Sequence, residues 1–301
     1  MDAVTDLYPS RYEDRPSLLP RQDPVIHPAE NGRPAAGPLD PEALAAFERD
    51  GYLFLDAYLD GTTVEALTAE MAALWREAAE SDEDRVIREP GGRAVRSIFA
   101  IHRSSAVFGA LAADPRLAGV AMQILGGPVY IHQSRINYKP GFDGKEFYWH
   151  SDFETWHMED GMPRMRALSM SVAMTDNTPH NGPLMVIPGS HKHYVTCLGE
   201  TPENHYKQSL RAQRFGVPDH DSLTRLVERG GIAAPTGRAG SVVLFDCNTM
   251  HGSNGNITPL PRSNLFIVYN STDNALMQPF AGTKPRPDFI ASRDPEPVQP
   301  R

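Results

Sequence analysis

From Val129 to about residue 275 the chain is a succession of short apolar runs bounded by Gly, Pro and Asn, and this pattern limits the folds open to it. We read strands at Val129–Tyr138, Phe147–Phe153, Leu168–Met174, Leu184–Ile187, Ser241–Phe245 and Leu265–Tyr269. One helix, Asp221 to Arg229, interrupts them, opened by the turn Asp219-His220-Asp221. Strands that follow one another without alternating helices do not build parallel βαβ crossovers. An antiparallel barrel or sandwich flanked by helices is the expected architecture.

The lead-in to these strands is α-rich. Asp40-Pro41 supplies a cap and a first-turn proline, and Leu44, Phe47 and Gly51 mark a short amphipathic helix, followed by a strand at Tyr52–Leu55. Val64, Leu67, Met71, Leu74 and Trp75 recur at helical spacing from Thr63, placed as the cap, to about Glu80. Further helices run from about Ser105 to Ala113 and from Asp114-Pro115 to Gly126-Gly127. Residues 1 to about 40 and the tail after Pro279 are rich in proline, and we expect the first to lie extended on the surface and the second to be loosely held.

Alternation within the strands says what a barrel would enclose. Gln133, Arg135 and Asn137 share one face of their strand, opposite Tyr130, Ile136 and Tyr138. Ser169, Ser171 and Ala173 oppose Leu168, Met170, Val172 and Met174, and Arg262, Asn264 and Phe266 share a face of the last strand. Several strands with one apolar and one small or polar face fit a barrel whose lumen is a ligand site and whose outer faces are covered by helices.

His150-x-Asp152 has the spacing of two metal ligands on one strand face, and His251, directly after the strand 241–245 and the turn 246–250, could face them from across the barrel. Two imidazoles and a carboxylate form a facial set that leaves coordination positions open on a divalent iron. Arg262, eleven residues after His251, and Ser253 offer a guanidinium and a hydroxyl for the far carboxylate of a dicarboxylate cosubstrate. His191-x-His193 and His157-x-Glu159 are weaker pairs, the first expected to make structural hydrogen bonds. Cys247 reads as a packed thiol.

Bulk properties narrow the class further. Lys and Arg number 29 against 38 Asp and Glu, a net charge of −9 that speaks against a nucleic-acid partner. Two cysteines, Cys197 and Cys247, supply neither a disulfide framework nor a multi-thiolate zinc site. The N-terminus has the acids and proline of no secretory signal, and no apolar run reaches the roughly 18 residues of a membrane span, so we expect a cytoplasmic protein with no membrane association.

With these residues laid out, the chain resembles the phytanoyl-CoA dioxygenase-like family of iron(II)/2-oxoglutarate oxygenases, and within it the branch that hydroxylates ectoine. The resemblance rests on the continuous block Phe147 to Pro163, on Asp6-Leu-Tyr-Pro-Ser-Arg11 and on Gln133 to Lys139, and it spans nearly the whole chain. It implies a double-stranded β-helix (jelly-roll, cupin-like) core at 128–275 within a single domain over 1–301, with 1–40 extended, 41–127 mostly helical and 276–301 a proline-rich tail. It places Fe(II) on His150, Asp152 and His251, and 2-oxoglutarate near Phe99, Asn137, Ser171, Ser253 and Arg262. Substrate falls near Gln133, Arg135, Trp156, Phe245 and Asn264, with Arg135 open to either ligand. The implied reaction converts ectoine, O2 and 2-oxoglutarate into 5-hydroxyectoine, succinate and CO2, in the service of osmotic and thermal stress protection by a homodimer. Two alternatives remain at this point: the same chemistry on another small amino-acid-like substrate such as proline, and a small-molecule binding barrel without catalysis.

Overall fold

The chain begins by pairing rather than by lying free. In the computed structural model, which describes residues 5–11, 16–89, 94–202, 204–210 and 215–301, the strand β1 (Leu18–Pro20) runs antiparallel to a later strand, with Leu19 opposite Tyr194. Helix α1 (Pro41–Asp50) starts where Asp40 accepts the Ala43 amide at 2.8 Å and stops at Gly51, whose φ of +77° is the left-handed conformation glycine tolerates. After β2 (Tyr52–Leu55) comes α2 (Gly61–Glu80), capped by Asp60, not Thr63; Thr63 is the residue whose amide Asp60 accepts, at 2.9 Å. Two short strands, β3 (Val86–Arg88) and β4 (Val95–Phe99), precede α3 (Ile101–Ser104), α4 (Ala106–Ala112) and α5 (Pro115–Leu125), the last two opened by Ser105 and Asp114 as expected.

The β region is a double-stranded β-helix. Its elements are β5 (Val129–Lys139), β6 (Phe147–His150), α6 (Asp152–Thr155), a π turn (Trp156–Asp160), β7 (Ala167–Ala173), β8 (Leu184–Val186) and β9 (His193–Val195), then α7 (Tyr206–Ser209), α8 (His220–Gly230), β10 (Val242–Asp246), β11 (His251–Ser253) and β12 (Arg262–Ser271). Seven strands form one sheet in the order β2-β10-β7-β12-β5-β4-β3, and β6-β11-β8 form a second. The expected parity holds on the large sheet. Ile136, Met170, Val172, Leu244, Leu265 and Ile267 pack with Leu67, Phe108, Leu117 and Ile124 of the helices in one apolar core. Burial at that scale is the main favourable term in holding sheet and helices together. The opposite face of the same strands carries Arg135, Asn137, Ser171 and Asn264 toward the lumen.

Three further expectations are corrected. Phe147–Phe153 is not one strand: it ends at His150, Ser151 sits as N-cap with its hydroxyl on Asn248 Oδ1 at 3.0 Å, and a helix begins at Asp152. Asp152 and Glu154 in the first turn favour that start through the helix dipole. The N-terminal segment does not merely lie on the surface, since Tyr8 is fully buried and its hydroxyl donates to Asp23 Oδ2 at 2.8 Å. Nor is the tail loose: Ile290, Ala291 and Ser292 are buried, and the Val298 amide donates to Val129 O at 2.8 Å. Proline content predicts lack of helix but says nothing about docking, which depends on the few apolar and polar residues between the prolines.

Candidate metal centre

His150 closes β6, Asp152 opens α6, and His251 begins β11. His251 lies directly opposite His150 in the antiparallel register, so the two histidines come from adjacent strands and not from across the barrel. Ligand atoms of the three residues all lie within 4.8 Å of one another. Nε2 of His150 is 3.7 Å from Asp152 Oδ1, and Nε2 of His251 is 3.8 Å from Oδ2.

The tautomers follow from the hydrogen bonds. His150 Nδ1 lies 2.7 Å from Tyr148 O, and His251 Nδ1 lies 3.0 Å from Thr249 O. A carbonyl can only accept, so Nδ1 carries the proton and each Nε2 lone pair faces Asp152. Burial, with His251 adding to it, pushes His150 down to about 4, which keeps it neutral near pH 7. Burial would raise Asp152, but His251, His150 and Arg135 outweigh it and hold the carboxyl below its usual range. Two imidazole Nε2 atoms and a carboxylate held ionised are a donor set suited to ferrous iron.

A cavity of about 70 Å³ opens beside these residues, lined by Phe99, Gln133, Arg135, Asn137 and Trp156 together with His150 and Asp152. Ser97, Phe147, Thr155, Leu210 and Arg286 complete its wall. Trp156 reaches the cavity because it stands four residues after Asp152 on a helical turn, which places both on one face. Gln133 is held at both ends, its Nε2 donating to Ile290 O at 2.7 Å and its Oε1 accepting from Arg135. The Arg135 guanidinium lies 5.0 Å from the Phe266 ring centroid, and among the described residues its Nε has no hydrogen-bond partner.

Ser171, Asn264 and Phe245 stand farther round the lumen. Asn264 Nδ2 donates to Ser171 Oγ at 2.8 Å, and the Phe245 ring lies 4.8 Å from that of His251. Ser253 and Arg262 mark a separate, basic corner. Arg262 is buried, its Nε has no hydrogen-bond partner among the described residues, and burial, then the charge of Arg96, lowers it to about 10. Opposite it in register is Lys139, which donates to Ser253 Oγ at 2.9 Å.

Two residues of this site do not stand out in the sequence. Lys139 continues the odd-numbered row Gln133, Arg135, Asn137 by one more step, a signal that extending the strand one residue past Tyr138 would have exposed. Arg286 comes from the tail, where no periodicity marks it; its guanidinium forks onto Asp160 at 2.7 and 2.6 Å. The weaker pairs are structural. His157 is buried with Nδ1 near Met162 O and Nε2 near Asp6, and His191 Nε2 lies 3.2 Å from Glu48 O. Cys247 is a buried thiol, and burial pushes it well above its ordinary value.

Residues 47–264 match the family model described as phytanoyl-CoA dioxygenase. The ectoine dioxygenase of Stutzerimonas stutzeri is 57% identical over 96% of this chain and 95% of its own length, and that of Halomonas elongata is 54% identical over 95% and 86%. A crystal structure of EctD from S. alaskensis with 2-oxoglutarate and 5-hydroxyectoine superposes with a TM-score of 0.88 at 52% identity, covering 99% of this chain and 98% of that one. The 2-oxoglutarate-dependent carbocyclase SnoK, at 21% identity and a TM-score of 0.62, shares the fold.

Proposed function

The chain belongs to the phytanoyl-CoA dioxygenase family, and on that premise we propose that it is an iron(II)- and 2-oxoglutarate-dependent oxygenase that hydroxylates ectoine to 5-hydroxyectoine with release of succinate and CO2. One observation carries the reading: His150, Asp152 and His251 bring ligand atoms within 4.8 Å of one another beside a cavity lined by Arg135 and Trp156, with buried Arg262 and Ser253 in a separate basic corner of the lumen. His150, Asp152 and His251 hold the metal. When bound, iron supplies the activation of O2 and the oxidative decarboxylation of oxoglutarate that drive the hydroxylation.

The chain's own groups do the binding and orienting. Arg262, Ser253 and Lys139 take the far carboxylate of oxoglutarate, where a charged acceptor satisfies donors that burial leaves short of partners. Phe99, Asn137 and Ser171 flank the remainder of that molecule. Ectoine is a small ring bearing a delocalised amidinium and a carboxylate, and Trp156 with Phe245 offers π faces to the cation. Arg135, which Gln133 fixes, is the cavity guanidinium that meets the carboxylate, since Arg286 is already forked onto Asp160, and Asn264 stands farther round the lumen. Holding both reactants at one small centre, away from water, is the protein's contribution to rate.

The proposal extends to one catalytic domain over residues 1–301 and to a cytoplasmic homodimer that makes 5-hydroxyectoine against osmotic and heat stress. The buried free cysteines and the family resemblance support it, and among the described residues no helix is long and apolar enough to cross a membrane. Incubation of the purified protein with Fe(II), oxoglutarate and either ectoine or proline tests the reading. Succinate formation with ectoine, and a mass gain of one oxygen on it, is the expected result. Turnover without iron or oxoglutarate, or preference for proline, would overturn it.

A further inference from the structure

The segment that carries Asp152 and Trp156 owes its shape to contacts outside the active site. Asp152–Thr155 is α-helical, but Trp156–Asp160 is a π turn, whose hydrogen bonds span five residues. Glu154 and Glu159 stand five residues apart on it, and both are buried. Around a regular α-helix such a pair would point about 140° apart. The wider turn brings them to one side, where a single guanidinium meets both. Arg11 Nη2 is 3.0 Å from Glu154 Oε2 and 3.0 Å from Glu159 Oε1, and its Nε is 3.0 Å from Glu154 Oε1. Ser10 Oγ donates to Glu154 at 2.8 Å, and His205 Nδ1 lies 2.9 Å from Glu159. Two carboxylates this close in a dry interior repel unless a cation lies between them.

We infer that Arg11 is a positioning residue: by bridging Glu154 and Glu159 it holds the π register of residues 152–160 and so fixes Trp156 against the substrate cavity. The inference rests on the oxygenase reading above for the identity of the substrate, not for the geometry. Trp156 is the first residue of the π turn, and its carbonyl accepts from Met162 N at 3.0 Å. Its ring packs edge-on against His132 with centroids 5.0 Å apart and is 3% exposed. A slip of the turn to α register would rotate one end of the segment against the other by about 100°. Asp152 is tied at the metal centre and Glu159 at Arg11, so the register between them sets where Trp156 points. Charge alone does not do all of this, because a lysine in place of Arg11 has an ammonium that could reach both carboxylates but no planar fork to grip both oxygens of Glu154 at once.

The chain has three tryptophans, so Trp75→Phe and Trp149→Phe leave Trp156 as the sole fluorophore of that kind. Acrylamide quenching of that protein reads the exposure of Trp156 with no assumption about the substrate. Arg11→Gln is expected to raise the quenching constant at least threefold. In the otherwise unaltered protein it should raise the KM for ectoine at least tenfold while the KM for oxoglutarate stays within twofold. Arg11→Lys should fall between the two, and it decides the matter should Arg11→Gln fail to fold. Unchanged quenching and unchanged ectoine KM overturn the inference, and so does a parallel rise in both KM values, which marks general damage. Loss of the fold in both variants would make Arg11 a structural residue only and would overturn the inference as well. Should the unaltered protein not turn over ectoine, the substrate reading fails alone, and quenching still decides Arg11.

Discussion

A lysine that is 2% exposed, with Arg262 and Arg96 as neighbours, cannot keep its ordinary basicity. Burial first, then those two cations, pushes Lys139 down to about 6. Lys139 is charged below that pH and neutral above it, and an incoming carboxylate favours the charged form. Oxoglutarate should therefore bind best near pH 6, and its KM should climb toward pH 8 by up to about tenfold per unit. Lys139→Met should raise that KM on the order of 10- to 100-fold at pH 6 and flatten its pH dependence, as initial rates of succinate formation at saturating ectoine would reveal. A pH slope that survives the substitution would assign it elsewhere. At this scale the convergence of His150, Asp152 and His251 was legible because the His150-x-Asp152 pair was read together with His251, Arg262 and Ser253 and not alone. Lys139 and Arg286 were not, since nothing in a lysine or an arginine announces that its surroundings will be dry.

The same limit acts on elements. Strands β5 and β7 were readable because each has one face against the helices, and that face writes an alternating pattern into the sequence, whereas β10, apolar on both faces, was readable only as a short apolar run. The run Phe147 to Pro163 has no such constraint: it is buried on several sides, so apolar residues fall at every phase and the strand, helix and π turn within it look alike. Its one punctuation mark is Gly161. This glycine ends the π turn at φ +81°, and a Cβ there would stand 2.3 Å from Met277 O, a backbone atom that cannot step aside cheaply. Gly161→Ala should cost at least about 2 kcal/mol and lower Tm by several degrees, because left-handed backbone and clash act together. Calorimetry would measure it, and a Tm equal to that of the unaltered protein would show that the turn can relax.

Across the whole molecule, neutral histidines join segments distant in sequence. His27 Nε2 lies 3.1 Å from Met165 O, fastening the N-terminal segment to the start of β7; His191 ties the region before β9 to α1; His102 Nδ1 meets Ser134 Oγ at 2.5 Å. Burial, the largest cause in each, lowers His27, His102 and His191 to about 4 and His132 to about 3. An unfolded histidine takes its proton near pH 6.5, so between there and pH 4 the unfolded chain binds more protons than the folded one. Stability must then fall as pH falls through that window. Asp160, held above the usual carboxylate range by burial, opposes the trend but is outnumbered by these histidines. Glu159 adds a later loss: burial would raise it, but His205, Arg286 and Arg11 bring it down to about 2, so its contribution is complete above pH 4.5 and fades only below. Calorimetry in the presence of a chelator should show Tm declining steadily from pH 7 to 4.5, with Glu159→Gln lying below that curve by a constant offset down to pH 4.5 and converging toward it below. Hydrogen exchange over the same range should quicken first at the His27 and His191 contacts, where the docked N-terminal segment and α1 meet the barrel, and a flat Tm from pH 7 to 4.5 would mean these rings reach water before the protein unfolds.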